Sequence, residues 1–277
     1  MCIGLCIITT GFSQEDTTGK KNSGRKEDTI KIGGITIIKK AGSEKKADVN
    51  ISTSDKKKPS NTTTNWWVVD LGFLNVNDNT DYSSVSAQQY GNASINKNWF
   101  DEKNGKSVNV NLWFVMQRLN MIKRVVNLKY GLGLELNNYR YKQPVRYIAN
   151  PPAVPNPQIV MLDSTLNRSY KKNKLAADYI TAPLMVNFNF TPGRKDGFGF
   201  SAGISAGYLY SARNKTITSD EGKKKAKDDF ELERWKISYI GELYLGPVKL
   251  YGSYATRSMY ERGLDMTPYN IGLRFSN

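Results

Sequence analysis

Val126–Asn137 reads VNLKYGLGLELN, and its two parities carry different chemistry. Val126, Leu128, Tyr130, Leu132, Leu134 and Leu136 fall on even positions. Asn127, Lys129, Gly131, Gly133, Glu135 and Asn137 fall on odd ones. Side chains of a strand point alternately to its two faces, so one face is wholly apolar and the other small, polar and charged. Dyad alternation over about 10 residues marks a membrane β-barrel strand, but a half-buried soluble strand alternates too. Recurrence decides between them.

The pattern recurs in seven further segments. Trp66–Val76 sets Trp67, Val69, Leu71 and Phe73 against Val68, Asp70 and Gly72. Ser107–Arg118 sets Val108, Val110, Leu112, Phe114 and Met116 against Ser107, Asn109, Asn111, Trp113 and Gln117. In Leu175–Phe190 the apolar row is Ile180, Ala182, Leu184, Val186, Phe188 and Phe190, opposite Thr181, Asn187 and Asn189. Phe198–Ala212, Trp235–Leu245, Val248–Arg257 and Tyr269–Phe275 complete the set. Pro183 cannot donate to a ladder, so it predicts a bulge or an end of regular pairing near the start of its strand.

The joins alternate between short and long. Leu119–Val125, Thr191–Gly197 and Gly246-Pro247 are short; Asn77–Lys106, Asn138–Lys174, Arg213–Arg234 and Ser258–Pro268 are long. Short periplasmic turns alternating with long outer loops are the plan of an outer-membrane barrel. The predicted fold is therefore all-β: an eight-stranded antiparallel up-and-down transmembrane β-barrel. Its uncharged row would face lipid, with aromatics such as Tyr208, Tyr210, Trp235 and Tyr269 as girdles. The ionic row would line the lumen: Asp70, Lys129, Glu135, Lys236, Glu242, Lys249, Arg257 and Arg274. The alternative is a soluble lipocalin-like barrel with the same faces inverted and a ligand in an oily interior.

The chain has 277 residues, a formal charge of +15 and no histidine. No apolar run reaches the roughly 18 residues of a transmembrane helix. Met1–Phe12 is apolar and small residues flank Phe12, so residues 1–13 are expected to be a signal peptide cleaved after Ser13. Residues 14–64 are rich in Lys, Ser, Thr, Asp and Gly and are expected to be a flexible basic periplasmic leader. Within it Thr29–Lys39 (TIKIGGITIIK) signals a short hairpin around Gly33-Gly34. Much of the positive charge sits in this leader and in the loops, so anionic lipopolysaccharide, glycans or cell wall are the expected partners, and nucleic acid is not.

Absence of histidine removes His-based triads and imidazole metal sites, and no P-loop or GxSxG is present. GLGLE at Gly131–Glu135 lies mid-strand and lacks the strand-turn-helix context of a phosphate loop. Glu135 and Glu242 could do acid–base work, but carboxylates in a narrow interior are expected to pair with the neighbouring cations. Eight strands leave a lumen that side chains fill, which disfavours a general porin. The outer-loop acids Asp78, Asp81, Asp101, Asp228 and Asp229 stay open as metal ligands, without EF-hand spacing. No catalytic residue, cofactor site or metal site is assigned.

The leader ending GFSQ, DTIKIGGITIIKK at Asp28–Lys40, NWWVVDLGF at Asn65–Phe73 and the closing YNIGLRF at Tyr269–Phe275 resemble the PorT-like outer-membrane β-barrel proteins of the Bacteroidota. The resemblance covers about Asn65–Asn277. It departs from many such proteins in having Ser276 and Asn277 after the final aromatic. It implies residence in the bacterial outer membrane and, for some relatives, a part in secretion or gliding. The function expected is that of a small non-enzymatic barrel with a structural role or a role in loop-mediated binding. Tyr82, Tyr90, Trp99, Phe100, Tyr139, Tyr141 and Tyr147 are the candidate loop contacts to envelope proteins or glycans, or else pack the loops on the rim. A narrow secretion-associated channel and an enzyme acting on lipid or polysaccharide are the other readings.

Overall fold

The computed structural model describes residues 60–103, 105–192, 194 and 197–276, and the backbone of two strands nearer the N-terminus, β1 (Glu27–Ile32) and β2 (Ile35–Lys40). β1 and β2 pair antiparallel with Ile32 opposite Ile35. They fall in a unit separate from the one beginning at Ser60. The expected signal peptide and most of the leader lie outside the described residues.

The second unit contains β3 (Thr62–Asp78), β4 (Val108–Ile122), β5 (Val126–Arg140), β6 (Val145–Tyr147) and β7 (Val160–Leu162). β8 (Tyr170–Asn189), β9 (Phe198–Thr218), β10 (Gly222–Lys227), β11 (Trp235–Leu245), β12 (Val248–Ala255) and β13 (Met266–Phe275) follow. A short helix, Val85–Tyr90, and a 3-10 turn, Lys97–Phe100, lie between β3 and β4. Eight strands close a ring in the order β3-β4-β5-β8-β9-β11-β12-β13, and β13 returns to β3. All neighbours are antiparallel, and these are the eight segments the alternation picks out. Lys123 and Arg124 at φ 44° and 60°, and Gly246 at φ 68°, turn the chain tightly at the short-turn end.

Within the barrel wall the even–odd pattern breaks in β3, where Trp66 and Trp67 both face outward, and at insertions in β4 and β9; further register shifts at Met121 and Lys171 lie near strand ends. In β4, Trp113 lies opposite Gly133 and Val115 opposite Leu132, so Phe114 is an extra residue. Trp67 beside it takes φ 57°, and its ring meets that of Phe114 edge-on at 5.6 Å. The bulge corrects one expectation: Met116 faces the lumen, 4 % exposed, where strict alternation puts it in lipid. In β9, Tyr210 is extra, since Leu209 opposes Tyr179 and Ser211 opposes Asp178. Pro183 produces no shift. Tyr130 opposite Leu184 and Gly133 opposite Thr181 keep one register, and only the intervening ladder lapses because Pro183 has no N–H.

Outward side chains form a continuous apolar belt. Leu71, Phe73, Ile180, Leu184, Ile204, Leu243, Ile271 and Leu273 are 42–62 % exposed. Tyr208 packs on Trp235 (5.0 Å) and Tyr254 on Tyr269 (6.4 Å) toward the long-loop end, and Phe188 on Phe200 (4.9 Å) toward the short-turn end. From Phe200 to Tyr208, at ~3.4 Å per residue and ~40° tilt, the belt rises roughly 21 Å, close to the apolar height of an outer-membrane barrel.

Candidate functional site

One hydrogen-bonded network inside the lumen touches all eight barrel strands. Arg274 (β13) donates to both carboxylate oxygens of Asp70 (β3), each at 2.6 Å, and pairs with Glu242 (β11). Trp113 Nε1 (β4) donates to Asp70 at 2.7 Å. Gly133 makes room for that indole, for a Cβ there would lie 2.8 Å from it. Glu242 also accepts from Lys129 (β5), Tyr244 and Ser201 (β9), and Ser201 accepts from Asn187 (β8), itself bonded to Asn127. On the other branch, Asn111 donates to Asp70, Asn109 to Asn111 and Asn137, and Asn137 to Glu135, which pairs with Lys236. Tyr251 (β12) donates to Asn109 at 2.5 Å.

Three carboxylates (Asp70, Glu135, Glu242) meet three cations (Lys129, Lys236, Arg274), so the network is neutral, and all six residues are at most 8 % exposed. Of the eight expected lumen charges, these six come together. Lys249 lies at the short-turn end, where Nζ donates to Ser276 Oγ at 2.5 Å. Arg257 is a correction: β12 ends at Ala255, and Arg257 lies exposed in the following loop, 3.9 Å from Glu233. The asparagines and Tyr251, which bridge the ion pairs, carry no charge that would mark them as site residues in the sequence, although their parity puts them inside. A cavity of about 20 Å³ bordered by Trp113, Glu135 and Glu242 is large enough for about one water.

The long loops form a cap whose apolar core continues onto Leu74, Leu175, Tyr179 and Met266 of the barrel strands. Tyr90, Trp99, Phe100, Tyr139, Tyr141 and Tyr147 are each at most 4 % exposed and pack with Phe230, Leu232 and Tyr260. Tyr90 donates to the Phe230 carbonyl at 2.8 Å, and the hydroxyls of Tyr141, Tyr147 and Tyr260 form a chain at 2.9 and 2.7 Å. Burial pushes the phenols of Tyr141, Tyr147 and Tyr260 well above their ordinary value, which keeps this chain protonated. Tyr82, half-buried, donates to Asp78 and stacks on Phe100. Six of these seven expected loop contacts are thus packed inside the cap, and Tyr82 alone keeps part of its surface exposed.

Glu102 sits in the cap, bridged to Tyr141, and neither carboxylate oxygen has a well-formed hydrogen bond. Burial pushes its carboxyl up to about 7, against a smaller opposing pull from Ser107. The outer-loop acids are used locally: Asp78 by Tyr82, Asp81 by Ser83, Asp101 by Lys142, Asp228 by Asn150 and Asp229 by Arg234. Among the described residues no group of three or more acids or cysteines could hold a metal ion.

An apolar exterior, an ionic interior and loops sorted by length define a transmembrane β-barrel with a filled lumen and a capped outer end. A family model for the outer membrane protein beta-barrel domain matches residues 59–255, and the chain belongs to that family. It is a protein of the bacterial outer membrane, and the inverted, soluble lipocalin-like alternative falls. A search of curated proteins finds no match to the chain. The family match ends before β13, yet β13 pairs with both β12 and β3 and closes the ring.

Proposed function

We propose that this protein is a non-enzymatic, non-conducting barrel that gives the outer membrane a rigid anchor and an outer rim for contact. The observation that supports this best is the neutral network joining all eight strands across the lumen. Every charged group in it answers another, so it acts as a crosslink and leaves none of its own three carboxylates poised for acid–base work. Its partners in this reading are outer-membrane lipid and lipopolysaccharide around the rim, and envelope proteins or glycans at the cap. Nucleic acid is not among them. Planar-bilayer recording tests it: the purified barrel is expected to give no discrete conductance steps, and to stay closed when Glu135 is replaced by Gln. Steps in the native protein that change with Glu135→Gln would instead support a narrow channel.

A more specific reading rests on the resemblance of Asn65–Phe73 and Tyr269–Phe275 to PorT-like barrels: a component associated with secretion or gliding. Here the barrel serves as the membrane fixture of a larger assembly. Crosslinking in intact envelopes tests it, since a barrel that acts alone yields no discrete higher-mass adduct.

A further inference from the structure

Four cations stand in one directly paired row on the outward face of four strands. Lys225 (β10) opposes Lys215 (β9), Lys215 opposes Lys174 (β8), and Lys174 opposes Arg140 (β5). In the next row toward the membrane, Lys227 opposes Arg213. In the row beyond, Lys223 and Lys172 flank Ile217. Like charges directly opposite destabilise a sheet, and this sheet repeats the arrangement three times in one row.

Nearby acids do not neutralise the row. Asp178 pairs with Arg213. Asp163, Asp220 and Glu221 bind Arg146, Arg168 and Lys224 at the hairpin tips. Among the described residues no ion pair reaches Lys174, Lys215, Lys225 or Arg140, and Arg140 Nε is buried without a hydrogen-bond partner. Lys174 lies beyond the lipid belt; burial and the cations Lys172, Arg213 and Lys215 pull its ammonium down to about 8.

The height of the patch suggests what neutralises it. Tyr210 is the last outward aromatic of β9; Arg213 comes three residues later and Lys215 five. At ~3.4 Å per residue and ~40° tilt these rows stand roughly 8 and 13 Å above the aromatic girdle. The interfacial layer of a bilayer is about 5–8 Å thick on each side. The patch is also the upward continuation of the face that touches lipid, so a lipid-borne anion meets it at high effective concentration.

We infer that this face binds the phosphorylated headgroup of an outer-leaflet glycolipid of the lipopolysaccharide class. Lys227 meets the phosphates nearest the membrane, beside the Arg213–Asp178 pair, and Arg140, Lys174, Lys215 and Lys225 meet anionic groups farther out. This rests on the lipopolysaccharide contact proposed above and gives it a site.

Native mass spectrometry of the full chain, released from micelles containing lipid A or phosphatidylethanolamine, tests it. The wild type is expected to retain bis-phosphorylated lipid A at least tenfold better than its fully dephosphorylated form. Lys174→Gln/Lys215→Gln/Lys225→Gln is expected to lose that preference, and Lys97→Gln/Lys106→Gln/Lys123→Gln to keep it. Heat-modifiable mobility of both variants establishes that they fold. Wild-type protein with no preference for lipid A overturns the lipopolysaccharide contact itself. A preference that the Lys174 triple variant retains overturns only the site. Equal competition by heparin, at matched anion concentration, overturns the lipid origin of the ligand and makes the patch a general polyanion surface.

Discussion

Arg274 carries two carboxylates at once, so its removal tests the lumen network most sharply. Arg274→Met leaves Asp70 buried and opposed only by amide and indole donors. Breaking a buried pair from one side costs about 3–5 kcal/mol, while replacing both partners by apolar groups costs much less. Arg274→Met is therefore expected to lower the urea midpoint in detergent strongly, and Asp70→Leu/Arg274→Met less than the single change; an equal or larger loss in the double variant would refute the crosslink. Glu102 gives a pH dependence to the cap. Its carboxyl titrates near 7 folded and near its ordinary 4.5 unfolded. Between those values the folded state holds more protons, so stability falls as pH rises through that window, by on the order of 3 kcal/mol. Glu102→Gln should flatten the curve and leave the cap more stable than wild type at pH 8, measured by thermal unfolding at pH 5 and 8. The alternation made Asp70, Glu135 and Arg274 legible as interior residues. The burial of Tyr90 or Glu102 was not legible, because a loop residue's neighbours come from other loops and leave no periodic trace.

Phe114 is the residue whose insertion sets the register of β4 against β5, while against β3 it stands opposite Trp67 with no shift. Strand alternation is strict, so one residue gained or lost turns every later side chain to the other face. Deleting Phe114 removes the bulge against β5 and moves it to Trp67 of β3, which already takes φ 57°, and leaves Met116 inside, so that barrel is expected to fold and keep its heat-modifiable mobility. Deleting Leu112 instead turns Trp113 out to lipid, brings Phe114 into the lumen and takes the indole donor from Asp70. That barrel is expected to migrate as unfolded without heating. Identical behaviour of the two deletions would count against the bulge as the register device. The eight strands were legible because lipid enforces an apolar residue at every second position. Their outer ends were not: β8 and β9 run to 20 and 21 residues. Above the belt the outward positions become Lys172, Lys174 and Lys215, so the hydrophobic rhythm stops while the ladder continues. The bulges at Phe114 and Tyr210 were hidden for a related reason, since both residues are as apolar as their neighbours and do not mark themselves as extra.

At the scale of the molecule the barrel and the cap are held by different physics, and this predicts an order of unfolding. The barrel is a closed ring with no free edge, surrounded by hydrocarbon in which no water can replace a broken ladder bond. The cap is a packed aromatic core under irregular backbone. Its loops are tied by scattered hydrogen bonds such as Tyr90 to the Phe230 carbonyl, Arg262 to the Pro157 carbonyl and Glu231, and the Asn150 N–H to Asp228. Local opening free energies run from near zero in loops to the global value in core strands. Cap amides are therefore expected to exchange with deuterium first. In detergent at pH 8, where Glu102 is charged, those at Ile148 and Ile159, which bond to Ile159 and Tyr90 carbonyls, should exchange at least tenfold faster than those of Leu112, Leu134 and Ser205. Lowering the pH to 5 should narrow the gap, once the intrinsic pH dependence of exchange is removed, by protonating Glu102 and tightening the cap alone. Should cap and barrel amides instead exchange together at both pH values, the two would be one cooperative unit, and the cap would have to be counted as part of the wall that keeps the lumen shut.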